Sequence, residues 1–370
     1  MRKTPKKERK SNIEILRIIS MCLIIYHHFA LYSGILEGQE INKTLIFGIL
    51  GGIGGKIGVA CYILITGYFG VGKEFNTKRI FKLWLQTFCY SVGFLLFFRL
   101  TGKAELNKVD TVKTFFPLVY NKYWFITSYI YLMILTPFIN KFLNGLKRQD
   151  YKKVIVILTI FFVMVPTIFY SSEMIGGANP LIGTVLFVYL YIIGGYINLY
   201  GLKFFENNKI KNIILILLGY IIVTFIALIG KKIQQYNVFW NNLFSYYREV
   251  NSIFILLPSI SLFYIFKEID IGCNKSINYI AGLSLGVYFL HENSFMRDLL
   301  WHEIFTVQKV ENLPGGLITG LVIICILFYV ITAVIEFFRV NLIEKNVLKS
   351  KTLNKLFGKI DSYMSLNANK

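Results

Sequence analysis

A succession of apolar runs, each long enough to cross a lipid bilayer, limits what this chain can become. Ten are marked, at about 13–33, 46–70, 80–99, 123–143, 154–171, 182–200, 211–230, 250–266, 278–295 and 315–337. At ~1.5 Å per helical residue, such runs cover most or all of a ~30 Å hydrocarbon core. Lipid offers no partner to a backbone N–H or C=O, so the runs read as helices. Length alone, at 370 residues, would suggest two soluble domains. A composition that is 55% hydrophobic and only 16% charged argues for one membrane domain instead. The expected fold is all-α, a polytopic membrane helical bundle of about ten transmembrane helices with both termini cytoplasmic. Its expected parts are a basic amino-terminal tail over 1–12, a membrane domain over 13–337 and a basic carboxyl-terminal tail over 338–370.

The formal net charge is +20, from 40 Lys and Arg against 20 Asp and Glu. The basic residues cluster in RKTPKKERK at the start, in KRIFK (78–82), in LKRQDYKK (146–153), at Lys203, Lys209 and Lys211, and from Arg339 through Lys359. These are alternate loops, the pattern that orients a protein in a bilayer. The segment 99–122 is an exception, with Arg99, Lys103, Lys108, Lys113 and Lys122. The partner this implies is the lipid bilayer rather than nucleic acid, and the location a cell membrane. Five scattered cysteines without CxxC spacing, four of them in apolar runs, read as small buried residues.

Charged and titratable groups inside such runs are expensive and draw attention to RIISMCLIIYHH (17–28) in the first helix. Positions eleven apart return to nearly the same helix face, so Arg17 and His28 share a stripe about 16 Å long. His27 points roughly 80° from Arg17 and is assigned a structural role. An arginine at the cytoplasmic mouth suits a phosphate, and a histidine one leaflet away suits a general base on a hydroxyl. The same residues also fit a snorkelling arginine and interfacial histidines. Glu14, a turn before Arg17, is placed to pair with it.

Arg17, ten residues and His28, with SNIEIL before them, are followed in order by three further patches. These are VACYILITGYF (59–69), YWFITSYIYLMILTPFIN (123–140) and LSLGVYFLHENSF (283–295). From residue 12 to about 340 the chain resembles the integral-membrane acyltransferase 3 family, in its stand-alone form without a carboxyl-terminal hydrolase-like domain. The resemblance implies O-acyl transfer, usually of acetyl from acetyl-CoA, to a sugar hydroxyl of a cell-envelope or secreted polysaccharide. Acyl-CoA and a glycan acceptor are then the expected partners, with glycan-biosynthesis proteins beside them. In that reading Arg17 holds the donor and His28 activates the acceptor.

The basic pair after the second helix, commonly Arg-x-x-Arg in the family, is here Arg79-Ile80-Phe81-Lys82, and the resemblance assigns Arg79 and Lys82 to the phosphates of CoA. Lysine keeps the charge but loses the bidentate fork. By alternation of the helices, His291 and Glu292 face outward with His28, as a second base, a glycan contact or an interfacial cap. Trp124 and Trp240 are candidate acceptor contacts, the latter in the aromatic and amide-rich VFWNNLFSYYRE (238–249). His302 and Glu303 match no zinc-helix spacing, so no metal is expected. A transporter or flippase exporting a glycan or lipid-linked sugar is the alternative; ten helices and a basic cytoplasmic side fit it too.

Overall fold

The computed structural model describes residues 10–37, 40–102, 108–168, 179–233 and 249–365. The described residues form a helical bundle with no strand. Its long elements are α1 (Ser11–Tyr32), α2 (Lys43–Gly70), α3 (Thr77–Leu100), α4 (Trp124–Asn144), α5 (Arg148–Ile168), α6 (Pro180–Tyr200) and α7 (Lys209–Ile233). They are followed by α8 (Ile253–Glu268), α9 (Lys275–Gly282), α10 (Ser284–Glu292), α11 (Gly316–Phe338) and α12 (Lys351–Met364).

Among the described residues, eight helices are long and apolar enough to cross a membrane, counting α11 together with the helical turns that carry it to Val347. The expected segments 250–266 and 278–295 are the two outside that set. The first is α8, only 16 residues long and interrupted by Pro258. The second is broken between α9 and α10, at Gly282 and Leu283. Both belong to the bundle, and the other eight of the ten expected segments have the length and apolarity of a membrane crossing among the described residues.

Contacts between helix ends define two faces of the bundle. On one, Ser11 bonds to Asn274 and Asn278, Asn12 to the carbonyl of Phe266, and Asn140 to the carbonyls of Gly70 and Lys73. The Leu202 amide donates to Tyr264 there, and Thr77 at the start of α3 is tied to Asp361 of α12. Both ends of the described chain therefore lie on this face, together with the basic stretches 78–82, 146–153 and 203–211. On the opposite face Tyr32 meets Arg297, Thr44 meets Glu311, and Lys231 donates to the Leu36 carbonyl. The segment expected as a carboxyl-terminal tail is helical for much of its length, and Phe357 packs on Phe81 of α3.

At the centre is α2, with 89% of its most apolar window buried; α5 and α7, at 17%, lie at the rim. Glycines allow this. A Cβ on Gly55 would fall 2.1 Å from His27 Cβ, and one on Gly58 would fall 2.5 Å from the Ser20 carbonyl of α1. On another side of α2, a Cβ on Gly67 would strike the Tyr191 carbonyl, and one on Gly194 of α6 the Leu64 carbonyl. Association of helices in lipid relies on such close packing of small residues. The run GILGGIGGKIG thus presses α1, and the histidines it carries, against the middle of the bundle.

Candidate active site

The close approach of α1 and α2 leaves a cavity of about 350 Å³ lined by residues of both helices, including His27, His28, Tyr32, Lys56 and Val59. Trp124 and Phe125 of α4, Tyr288 and Glu292 of α10, and Glu249 complete much of the wall. His28 is 5% exposed, and its Nδ1 lies 3.4 Å from Glu292 Oε2. That separation must close by a few tenths of an ångström to become a good hydrogen bond, as catalytic contacts do when substrate binds.

The carboxylate is held in turn. Tyr32 Oη lies 3.4 Å from each Glu292 oxygen and accepts from Arg297 Nη1 at 2.9 Å. The Arg297 guanidinium also sits over the Tyr32 ring, 4.8 Å from its centroid. A ring nitrogen of His302 lies 2.8 Å from the Tyr32 carbonyl, which brings the segment after α10 against the end of α1. Arg297, Tyr32, Glu292 and His28 therefore form a continuous polar chain ending in the cavity. An imidazole whose second nitrogen faces a carboxylate is fixed in tautomer and orientation, which is what a general base needs.

His291 is placed differently from its neighbour. It is fully buried, its Nδ1 is 2.6 Å from the Val287 carbonyl, and its ring stacks on Phe328 at 5.7 Å. It packs behind His28, with ring centroids 4.9 Å apart, and does not line the cavity. The sequence pairs His291 with Glu292 as acceptor contacts; the fold brings Glu292 to His28 and leaves His291 as its buried support. His27, assigned a structural role, lines the cavity beside His28 and packs on Gly55. Trp124 is on the same wall. Trp240 lies outside the described residues.

Tyr32, Lys56, Glu249, Tyr288 and Arg297 escaped the sequence reading. A lone lysine in the apolar run 46–70 was the legible signal for Lys56, since charge at that depth is rare without purpose. Tyr288 is 2% exposed, lines the cavity, and its hydroxyl donates no hydrogen bond among the described residues. No spacing rule marks it in an aromatic-rich helix.

Toward the basic face, Arg17 Nη1 meets Glu14 Oε2 at 3.1 Å, the pairing expected from their spacing. Its guanidinium stands 5.7 Å from the centroid of the Tyr62 ring. One turn further along α2, Thr66 opens a second cavity of about 210 Å³, lined also by Lys73, Asn76, Arg79, Met133 and Tyr191. Arg79 is in the first turn of α3, whose start is capped by the Asn76 side chain. Lys82 is not on that wall; it pairs with Glu344 at 2.7 Å, in a cluster where Arg339 binds both Glu344 and Glu336.

The geometry is thus two cavities on opposite faces, with the arginine and the histidine of α1 between and beside them. The family model for the acyltransferase 3 family, described as an acyltransferase domain, matches residues 10–337. No curated protein and no solved structure matches. The chain belongs to the acyltransferase 3 family, and is a membrane acyltransferase.

Proposed function

We propose that this acyltransferase moves an acyl group, acetyl from acetyl-CoA, onto a sugar hydroxyl of a cell-envelope or secreted polysaccharide. The observation that carries the reading is the placement of His28 against Glu292 in a cavity with Trp124 and Tyr288. The donor enters from the basic face, which the distribution of Lys and Arg assigns to the cytoplasm. Arg79, at the amino terminus of α3, meets its phosphates, where the guanidinium and the helix dipole both favour anions. Lys82 is a weaker candidate for the same phosphates, since Glu344 already neutralises it. Thr66 of the donor cavity and Val59 of the acceptor cavity are seven residues apart on α2. That is about 10 Å at ~1.5 Å per residue, a distance for the slender thiol-bearing arm of CoA to cross beside Arg17.

The sugar hydroxyl is the poor reactant, and His28 removes its proton as the oxygen attacks the thioester carbonyl. Glu292 stabilises the resulting imidazolium, for a contribution of roughly 10²–10⁴ from the base. The Tyr288 hydroxyl is free to donate to the tetrahedral oxyanion. When that intermediate collapses, the carbon–sulfur bond breaks and the CoA thiolate takes the proton from His28. The products are the sugar ester and the free thiol. The transport alternative is not favoured by membership of an acyltransferase family.

The test is ester-linked acetate released by mild base from envelope and secreted glycans of a deletion strain. The strain carries empty vector, the wild-type gene or His28→Ala at matched protein level. Acetate restored by wild type alone supports the reading and the role of His28. Acetate restored by both removes His28 from the mechanism, and no difference among the three rejects acetyl transfer.

A further inference from the structure

We propose that the ion pair between Lys56 and Glu249 is the acceptor-binding element of the site, gripping two adjacent hydroxyls of an uncharged glycosyl unit. The inference rests on the sugar-acylating function proposed above and names how the acceptor is held.

Lys56 stands midway along the central helix, inside an otherwise apolar run. Its Nζ is 2.8 Å from Glu249 Oε2, and the two side chains are only 18% and 15% exposed. Both line the cavity that holds His28. A pair withdrawn from water to this degree gains little over apolar packing of the same volume, so its fitness for the cavity needs another reason. The unused valences supply one. Among the described residues Glu249 is the one hydrogen-bond partner of the Lys56 ammonium, which leaves two of its three protons available. Glu249 Oε1 accepts no bond among the described residues.

A donor and an acceptor held a hydrogen-bond length apart match the vicinal hydroxyls of a pyranose, which are similarly spaced and can each give or take a proton. Trp124 and Tyr288 on the adjoining walls offer apolar faces to the ring carbons. Charge selects the class of sugar. The pair is internally neutral, and Glu292 adds a carboxylate to the same wall. A uronate or phosphorylated unit would have to set its negative charge against Glu249 and against Glu292. A neutral glycosyl unit does neither.

The experiment measures binding with no acyl donor present, so its result is independent of which acyl group is moved. The full-length chain in nanodiscs is unfolded thermally in the presence of methyl glucopyranoside, galactopyranoside or mannopyranoside, and of methyl glucuronide. Wild type is compared with Lys56→Met and with the double variant Lys56→Met, Glu249→Leu. The double variant removes both charges together and leaves none orphaned, which protects the fold. The expected result is a concentration-dependent rise in the wild-type unfolding midpoint with at least one neutral glycoside. Both variants then bind that glycoside about tenfold more weakly or worse, as loss of charge-assisted hydrogen bonds predicts. An equal response of the double variant overturns the proposal. So does tighter binding of the glucuronide than of every neutral glycoside, or no wild-type response to any of the three. Failure of acetate release with binding intact would instead count against the acyl-transfer reading alone.

Discussion

Around His28, polar support arrives from elements far away in the chain: Glu292 and Arg297 from the region of α10, Glu249 from before α8, and Trp124 from α4. Around Arg79 much of the wall is local, made by residues 66–80 at the end of α2 and the start of α3. His28 and Glu292 are buried, whereas Arg79 is exposed. A buried site assembled from distant elements is pre-organised, and its members act as a unit on the chemical step. An exposed, locally built site attracts and releases a charged ligand, so its members act on binding. Catalytic constants and Michaelis constants should therefore respond separately to damage in the two cavities.

The largest effect is expected from His28→Ala, which removes the base. The rate of acyl transfer should fall by roughly 10²–10⁴, with the donor KM little changed, as measured by label transfer from acyl-CoA. A fall confined to the donor KM would break the division between the cavities at its strongest point. Next comes Glu292→Gln, which keeps the shape beside His28 and Tyr32 but removes the charge that stabilises an imidazolium. Its expected cost is about 10- to 100-fold in kcat. An unchanged kcat would show that Glu292 holds position through Tyr32 and Arg297 alone.

Gly55→Ala tests the seam rather than the chemistry. The added methyl carbon would meet His27 Cβ at 2.1 Å, next to the helix backbone where little can give way. Overpacking of this kind typically costs ~1–3 kcal/mol, read here as a lower unfolding midpoint. Activity should fall as well, because the displaced helix carries His28. An Arg79→Ala variant should raise the donor KM about tenfold through loss of charge-assisted phosphate contacts, leaving kcat near wild type. If kcat fell equally, the basic cavity would belong to the chemical step.

Much of the bundle is legible in the sequence because of its solvent. Lipid obliges an apolar run to be helical, and the basic loops sort the faces, so residues 80–99 or 211–230 allow one reading. The segment 278–295 was harder: composition carries it straight through, while Gly282 and Leu283 interrupt it and let Glu292 turn toward α1. Within a helix, spacing is enough, which is why the Glu14–Arg17 pair and the shared stripe of Arg17 and His28 could be anticipated. Between helices it is not. Nothing along the chain states that Glu292 reaches His28, that Lys56 finds Glu249, or that His291 is spent on Phe328. Those depend on crossing points set by glycines of α2, whose significance shows only when a Cβ is imagined there.

Lys82 gives the smallest expected effect and the finest division between the two kinds of site. By charge alone it equals Arg79, three residues away on the same helix. Its ammonium, however, is 2.7 Å from Glu344, which itself stays bound to Arg339 if Lys82 is removed. The side chain is 45% exposed, so water screens the pair and its loss should cost less than ~1 kcal/mol of stability. A Lys82→Met variant should thus move the donor KM by no more than about twofold, against about tenfold for Arg79→Ala. Equal effects of the two would mean that the donor phosphates compete successfully with Glu344 for the ammonium. The basic cavity would then extend along α3 toward the Arg339 cluster, and the donor would grip two turns of one helix rather than its first.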